Sequence, residues 1–543
     1  MPAIVTDQFR ILNASNFVDS VTNNNYYVFI GLPNPTQTKE GGIIGYGRSE
    51  TWNKSSETPR PLDSFSSNAH VGDIMMFGKK IQAKNIRRVV KRVDWKSGER
   101  YEIYRDDYSR DNQSPNTQAN KLYRSRYYVM NSEYKVYICI DNGGYGSNDS
   151  QTAKGNVSQD EPTFTDLEPS KAGSSGDGYL WKYLFTVSPS DIIKFDSTEY
   201  IAVPNDWNSS TDPQIRAVRE NGDSLLNNNQ IKHVYIENAG KSYSNLTDQE
   251  VNIVGDGTGA KARVDVNSDG NITDITVTSG GKGYSYGLVD LGAVNTNSGG
   301  STAKLVPIIP PSRGHGYDIY QELGTDKILI YARFDDSTKD FPVDTKFSVV
   351  GIVKNPTKID QVTSFNDNQF SSLDAMLFKN EQSSQDPTLK VTGNPQVGEI
   401  IEQTQTDPNT GASVKARAYV ASFDNDTKVL KYFTDRSLNY SGTQDQTDYI
   451  GISTLGRHYQ FTSTDGVIEG KTSGFKGYIN SGYTGITTNP TGNKQVDLGM
   501  AFTEGLAKSE INKGSGELVY IDHRPLIARN ERQKEDVKII LEF

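Results

Sequence analysis

Apolar residues in this chain come in short runs, and turn-forming residues cut every run off. Tyr26-Tyr-Val-Phe-Ile30, Tyr127-Tyr-Val-Met130 and Tyr134-Lys-Val-Tyr-Ile-Cys-Ile140 are followed by Gly31, Asn131 and Asp141. Runs of this length, rich in aromatic and β-branched side chains, fit strands and are too short for typical helices. Glycine occurs 49 times in 543 residues, and Asn-Gly, Asp-Gly and Gly-Gly pairs recur, so polar turns join the strands. The expectation is a mainly β, multi-domain protein, since single cores stop growing well below this length. Two stretches read as helix. Ser188-Pro-Ser-Asp-Ile-Ile193 has the look of a capped start with Ser188 or Ser190 as cap, and Gln495 to Asn512 is the best longer candidate.

Charge narrows the partners. A formal net charge of −10 argues against nucleic acid, because phosphate neutralisation needs clustered Lys and Arg. The one basic cluster is Arg87, Arg88, Lys91 and Arg92, interleaved with Val89, Val90 and Val93, and it reads first as the solvated face of a partly buried element. A partner-binding patch is the other reading. The single cysteine, Cys139, sits among strand formers and reads as a small buried hydrophobe; alone it builds neither a disulfide framework nor a zinc site. Met1-Pro-Ala-Ile-Val-Thr-Asp7 lacks a basic and apolar leader, and no run approaches a membrane span. A soluble protein made in a cytoplasm is expected, with no membrane partner.

An internal repeat begins near residue 231. Ile231-Lys-His-Val-Tyr-Ile-Glu-Asn-Ala-Gly-Lys-Ser-Tyr243 aligns with Ile272-Thr-Asp-Ile-Thr-Val-Thr-Ser-Gly-Gly-Lys-Gly-Tyr284 at a shift of 41. Gly257-Thr-Gly-Ala-Lys261 and Gly300-Ser-Thr-Ala-Lys304 follow the same pattern. Two copies are too few for a solenoid, so a compact module of paired half-units is expected, closed by Pro307 and Pro310-Pro311. Between Gly143 and Gly178 lies a polar stretch without apolar periodicity, expected to contact a partner or stay mobile. Strand runs and Asp/Asn/Thr/Gly turns from about 370 to 490 suggest a small antiparallel barrel or sandwich.

Chemistry-bearing motifs are weak. Asp265-Val-Asn-Ser-Asp-Gly-Asn-Ile272 resembles a calcium loop, but Thr276 stands where a bidentate Glu belongs, and strands flank it. An Asp-Gly hairpin turn accounts for the same residues. Gly255-Asp-Gly-Thr-Gly-Ala260 lacks the Gly-Lys-Ser/Thr and the helix of a phosphate loop. His70, His233, His315, His458 and His523 are scattered outside any catalytic pattern. Asp106-Asp107 and Asp335-Asp336 are adjacent pairs, and neighbours on a strand face opposite ways. No catalytic, cofactor-binding or metal residue is assigned, and no cofactor is expected.

Five aromatic-rich strings are more specific. They are Tyr46-Gly-Arg-Ser-Glu-Thr-Trp52, Arg92-Val-Asp-Trp95, Gly176-Asp-Gly-Tyr-Leu-Trp-Lys-Tyr-Leu-Phe185, Glu199-Tyr-Ile-Ala-Val-Pro204 and Ser515-Gly-Glu-Leu-Val-Tyr-Ile-Asp-His-Arg-Pro525. In this order, before a terminal strand Val537–Phe543, they resemble the baseplate wedge subunits of T-even-like contractile-tailed bacteriophages, the wedge protein eight family. The resemblance covers about 1–215, 315–365 and 500–543. Its motif positions, in core or interface, are Gly47, Arg48, Ser49, Trp52, Asp94, Trp95, Asp177, Gly178, Trp181, Pro204, Arg524 and Pro525.

The resemblance implies a non-enzymatic structural subunit of the virion tail baseplate, made in the host cytoplasm. It also implies a homodimer beside other wedge subunits and fibre-linked baseplate proteins. The expected division is a family core at 1–215, 313–367 and 496–543, interrupted by a β-repeat module at 216–312 and a β barrel or sandwich module at 368–495. Two rivals remain: a receptor- or glycan-binding tail protein acting through the inserted modules, and a tail-associated polysaccharide hydrolase. The hairpin reading of residues 265–272 predicts that isothermal titration with calcium gives no micromolar binding. Micromolar binding that disappears in Asp269→Ala would sink that reading.

Overall fold

The computed structural model describes residues 5–31, 36–37, 43–44, 75–144, 154–223, 230–294, 300–334, 346–359, 362–379, 391–397, 399–407, 411, 413–434, 459–464, 466–489, 495–528 and 534–543. It is mainly β, with 44% of residues in strands and 12% helical, arranged as several antiparallel sheets. The chain divides into two compact units. Unit 1 takes Met1–Phe17, Ile86–Leu329 and Ile539–Phe543; unit 2 takes Val18–Asn85 and Ile330–Lys538.

In unit 1 the strands Tyr128–Met130, Lys135–Asn142 and Tyr179–Thr186 form an antiparallel sheet. Tyr179, Trp181, Tyr183 and Phe185 alternate along the last strand, and all four are buried. Lys182 and Leu184, which alternate with them, are buried as well, so both faces of this strand are covered. Cys139 lies in the middle strand with no exposed surface. Ser188 caps the helix Pro189–Phe195, its Oγ accepting from Asp191 N at 3.2 Å.

The polar stretch after Gly143 is wired rather than loose over its described part, 154–178. Asp177 Oδ2 accepts from Gln159 N at 2.9 Å and Asp160 Oδ2 from Ser175 N at 2.8 Å. Asn156 Nδ2 donates to Asp177 O at 2.8 Å, and Tyr137 donates to Phe164 O at 2.6 Å. Carboxylates and amides thus replace the missing ladder, which is why the segment shows polarity without periodicity.

The repeat folds as two halves that exchange strands. Ile231 N donates to Gly280 O and Ile272 N to Ala239 O, each at about 3 Å. The strand His233–Asn238 pairs with Lys304–Ile308, and Ile272–Lys282 pairs with Thr258–Val266, in matching registers. His233 faces Ile308 as Asp274 faces Asp265, and both pairings are irregular at the equivalent place, before Asn238 and before Ser279. The tyrosines cross too. Tyr243 Oη accepts from Ala303 N at 2.9 Å, while Tyr284 Oη accepts from Ala260 N at 3.1 Å. Each half's tyrosine therefore secures the other half's Ala-Lys strand.

Gly240 and Gly281 make the crossing possible, with φ of +67° and +63°. A Cβ on Gly281 would stand 2.5 Å from Ala260 N and 2.7 Å from the Tyr284 ring. One hydrophobic cluster, including Ile231, Val251, Val264, Ile272 and Leu305, fills this region from the repeat's own residues. The segment 267–271 is a hairpin turn: Asn267 Oδ1 accepts from Asp269 N and Asn271 N, and Gly270 has φ +75°.

Unit 2 holds a five-stranded antiparallel sheet ordered Gln369–Ser371, Met75–Lys80, Tyr26–Gly31, Lys346–Lys354, Glu517–Ala528. All of Tyr26–Gly31 is buried at its centre, which explains an unbroken apolar run. A seven-stranded sheet runs from Lys476–Gly477 through Ile468–Gly470, Ile400–Thr406, Ser413–Asp424, Val429–Phe433 and Asp374–Leu377 to Leu506–Ala507. Among the described residues it does not close into a barrel.

The expected helix at Gln495–Asn512 is absent. Val496–Phe502 is a strand followed by Leu506–Ala507. Leu498, Met500 and Phe502 are buried at a spacing of two, and Glu504 (φ +50°) with Gly505 (φ +76°) turns the chain. The alternation outweighs the helix formers in the stretch.

Tyr284 also donates to Ile253 O at 3.0 Å, so Tyr284→Phe orphans two buried backbone groups. A local loss of about 2 kcal/mol is expected. Hydrogen exchange across Thr258–Val266 should then rise roughly 5- to 30-fold. Exchange equal to the parent's would refute the crossed capping.

Candidate functional site

Of the residues singled out in the sequence, Asp94, Asp177, Gly178 and Trp181 lie at or beside one aromatic stack. Gly178, with φ +84°, turns the chain into the strand Tyr179–Thr186, and Asp177 Oδ1 accepts from Tyr179 N at 3.0 Å. Tyr179 and Trp181 stack at 5.3 Å with 12° between planes, and Tyr101 meets Trp181 edge-on at 5.7 Å. The indole N–H of Trp181 is buried without a hydrogen-bond partner, so ring packing holds this residue. Trp95 Nε1 donates to Ser158 Oγ at 3.0 Å, and Asp94 pairs with Arg92 at 2.9 Å.

Pro204 O accepts from Tyr320 Oη at 2.7 Å, beside the fully buried Trp207. In unit 2, the exposed Arg524 pairs through Nε with Asp522 at 2.7 Å. Pro525 lies in that same strand, Glu517–Ala528. Gly47, Arg48, Ser49 and Trp52 lie outside the described residues. Of the unit 1 motif residues, Trp181 is buried, Trp95, Asp177, Gly178 and Pro204 are half-buried, and Asp94 is exposed. Among the described residues, no three His, Cys, Asp or Glu side chains converge as a metal site would require.

The basic cluster does not form one face. Arg87 pairs with Asp191 at 2.9 Å, and Arg88 is buried with its guanidinium 4.1 Å from the Tyr320 ring centroid. Lys91 and Arg92 turn instead into a cleft of about 560 Å³, lined entirely by unit 1. Asp7, Arg10 and Ile11 from the helix Asp7–Asn23 form one wall. Lys121, Tyr123 and Arg124 form another, with Glu199, Tyr200, Asp326, Lys327 and Glu542 completing it.

The cleft's shape is fixed by backbone-directed bonds. Tyr128 donates to Lys91 O at 2.7 Å, and Tyr123 donates to Gln321 O. The Tyr123 ring covers Gly324 (φ +68°), where a Cβ would stand 2.5 Å from the ring. Burial pushes the Tyr123 phenol up to about 12, so it stays a neutral donor. The alternation of cations and valines at 87–93 carried some signal for this site; the helix and loop contributions came from distant sequence and carried none.

Among the titratable groups buried in unit 1 are His315, Glu322 and Lys182. His315 Nδ1 meets Glu322 Oε1 at 2.5 Å, and Glu322 Oε2 accepts from Gly316 N at 2.8 Å. Lys182 donates to Leu167 O, and burial pushes its ammonium down to about 8 against the pull of Glu168 and Glu322.

No family model matches this chain. It is 26% identical over 223 residues to the protein named "Baseplate wedge protein gp8" of Enterobacteria phage T4. That alignment takes in 37% of this chain and 60% of the relative, so the chain spans under two thirds of the relative's length. No helix among the described residues is long and apolar enough to cross a membrane.

Lys182 gives a pH test. Below about pH 8 both folded and unfolded chains hold its proton, and the burial penalty is fully present. Between about 8 and the ordinary value of 10.5 the unfolded chain binds more protons, so this group's contribution to stability rises with pH. The stability of the parent relative to Lys182→Met should therefore increase from pH 7.5 to 10 by urea unfolding, each pH being about the edge of that window. Parallel profiles would exclude the buried ammonium.

Proposed function

We propose that this chain is a structural, non-enzymatic subunit of a phage tail baseplate wedge. The similarity to the T4 baseplate wedge protein carries this reading, and the five ordered strings add to it. In this reading it forms a homodimer, links neighbouring wedge proteins and fibre-linked baseplate proteins, and supports rearrangement as the tail contracts. The family core is 1–215, 313–367 and 496–543, with modules inserted at 216–312 and 368–495. Two features support that division. The repeat has a hydrophobic cluster of its own, and a second cluster including Met376, Ile401, Val420 and Phe475 fills the seven-stranded sheet.

Rigid β platforms suit such a role, since packed sheets deform little under load. The test is cryo-imaging of particles labelled on this chain, with light scattering of the purified protein. Label density in the baseplate wedge and a dimeric mass are expected. Density at fibre tips would favour the receptor-binding reading, and a monomer at micromolar concentration would remove the homodimer.

A further inference from the structure

We infer that the basic cleft of unit 1 holds an acidic polypeptide segment of a partner protein, with carboxylates spaced by apolar residues. The inference rests on the reading of this chain as one that works through interfaces, and it names the chemistry one interface would take.

Charge is the first argument. The chain as a whole carries −10, yet six cationic side chains line this cleft against four lining carboxylates, with Asp94 and Asp196 beside Arg92. Most of the balance is already committed: Arg92 to Asp94 and Asp196, Lys327 to Asp326 and Glu542, Lys121 to Asp7 at 3.6 Å. Among the described residues Arg10, Lys91 and Arg124 form no ion pair, while Glu199 alone of the lining carboxylates lacks one. Arg10 Nε is buried without a hydrogen-bond partner. Elsewhere on this chain cations such as Lys232, Lys261 and Lys304 are matched with carboxylates at 2.7 Å. Three cations without an ion pair thus converge on one concavity, where carboxylates would find charge-assisted partners.

The walls choose a polypeptide. Between the cations stand Ile11, Val90, Leu323 and the rings of Tyr123 and Tyr200. A volume of about 560 Å³ lies in the range of formed ligand clefts. Bare phosphate would leave the rings of Tyr123 and Tyr200 uncovered. A chain that alternates carboxylates with apolar side chains satisfies both parts of the lining. Tyrosine and arginine together are also the side chains in which interface binding energy concentrates.

The test uses the full chain and a fluorescein-labelled ten-residue peptide alternating Glu with Leu and Tyr, read by anisotropy. Its counterpart with Lys in place of Glu, and inorganic phosphate as competitor, are the controls. Lys91 and Arg124 are both exposed, so Lys91→Glu with Arg124→Glu leaves the packing intact, as circular dichroism would verify. The Glu peptide is expected to bind, to weaken as salt is raised, and to lose at least tenfold in affinity in this double variant. Lys261→Glu with Lys304→Glu, the same charge change in the repeat, should leave its affinity unchanged.

The inference is overturned if the Glu peptide does not bind, if the Lys peptide binds equally, or if the Lys91/Arg124 variant binds as the parent does. Full displacement by millimolar phosphate would mark a small-anion site and overturn it as well. Failure here leaves the wedge reading standing, because the location of label in the particle does not depend on this cleft.

Discussion

The phenol of Tyr179 donates to Asn156 O at 2.8 Å and accepts from Tyr101 N at 2.9 Å, joining three separate stretches of unit 1 at one oxygen. The same device recurs. Tyr127 reaches Glu322 O, Tyr128 reaches Lys91 O, Tyr320 reaches Pro204 O, and in unit 2 Tyr27 reaches Asp367 O. A chain built from short strands leaves many loop amides and carbonyls without a ladder, and each must find a partner if buried. Tyrosine meets that need while also filling the core, which accounts for 30 tyrosines beside 4 tryptophans. Burial pushes the phenols of Tyr127, Tyr128 and Tyr179 up, so these bonds persist across any physiological pH.

Much of the secondary structure was legible in the residues. The runs at Tyr26, Tyr127 and Lys135, the Ser188 cap and the terminal strand all lie where local pattern places them. These are positions where local propensity and final burial agree. The stretch Gln495–Asn512 went astray because Ala, Leu, Met, Glu and Lys favour a helix in isolation. Its environment instead buries Leu498, Met500 and Phe502 on one side of a strand. Tertiary packing overrode propensity there.

The candidate site was far less legible. Arg87, Arg88, Lys91 and Arg92 read as one patch, but alternation along a strand sends them to different environments. Arg87 goes to Asp191, Arg88 to the Tyr320 ring, and Lys91 and Arg92 to the cleft. The other cations of the cleft, Arg10, Lys121, Arg124 and Lys327, arrive from widely separated positions, and no local spacing announces such a convergence. The polar stretch 154–178 shows the same limit from the other side, since its order depends on individual Asp and Asn contacts rather than on any period.

The strand-exchanged repeat has a bearing on ancestry. His233 and Ile308 are register partners, so the chain enters and leaves this region at adjacent points, roughly 5 Å apart as paired strand positions are. A segment with neighbouring ends can be gained or lost by a gene without stretching what surrounds it. Because each half completes the other, the unit of gain is the duplicated pair, and a single copy would leave its tyrosine and its Ala-Lys strand without counterparts. Related chains should therefore carry both copies or neither.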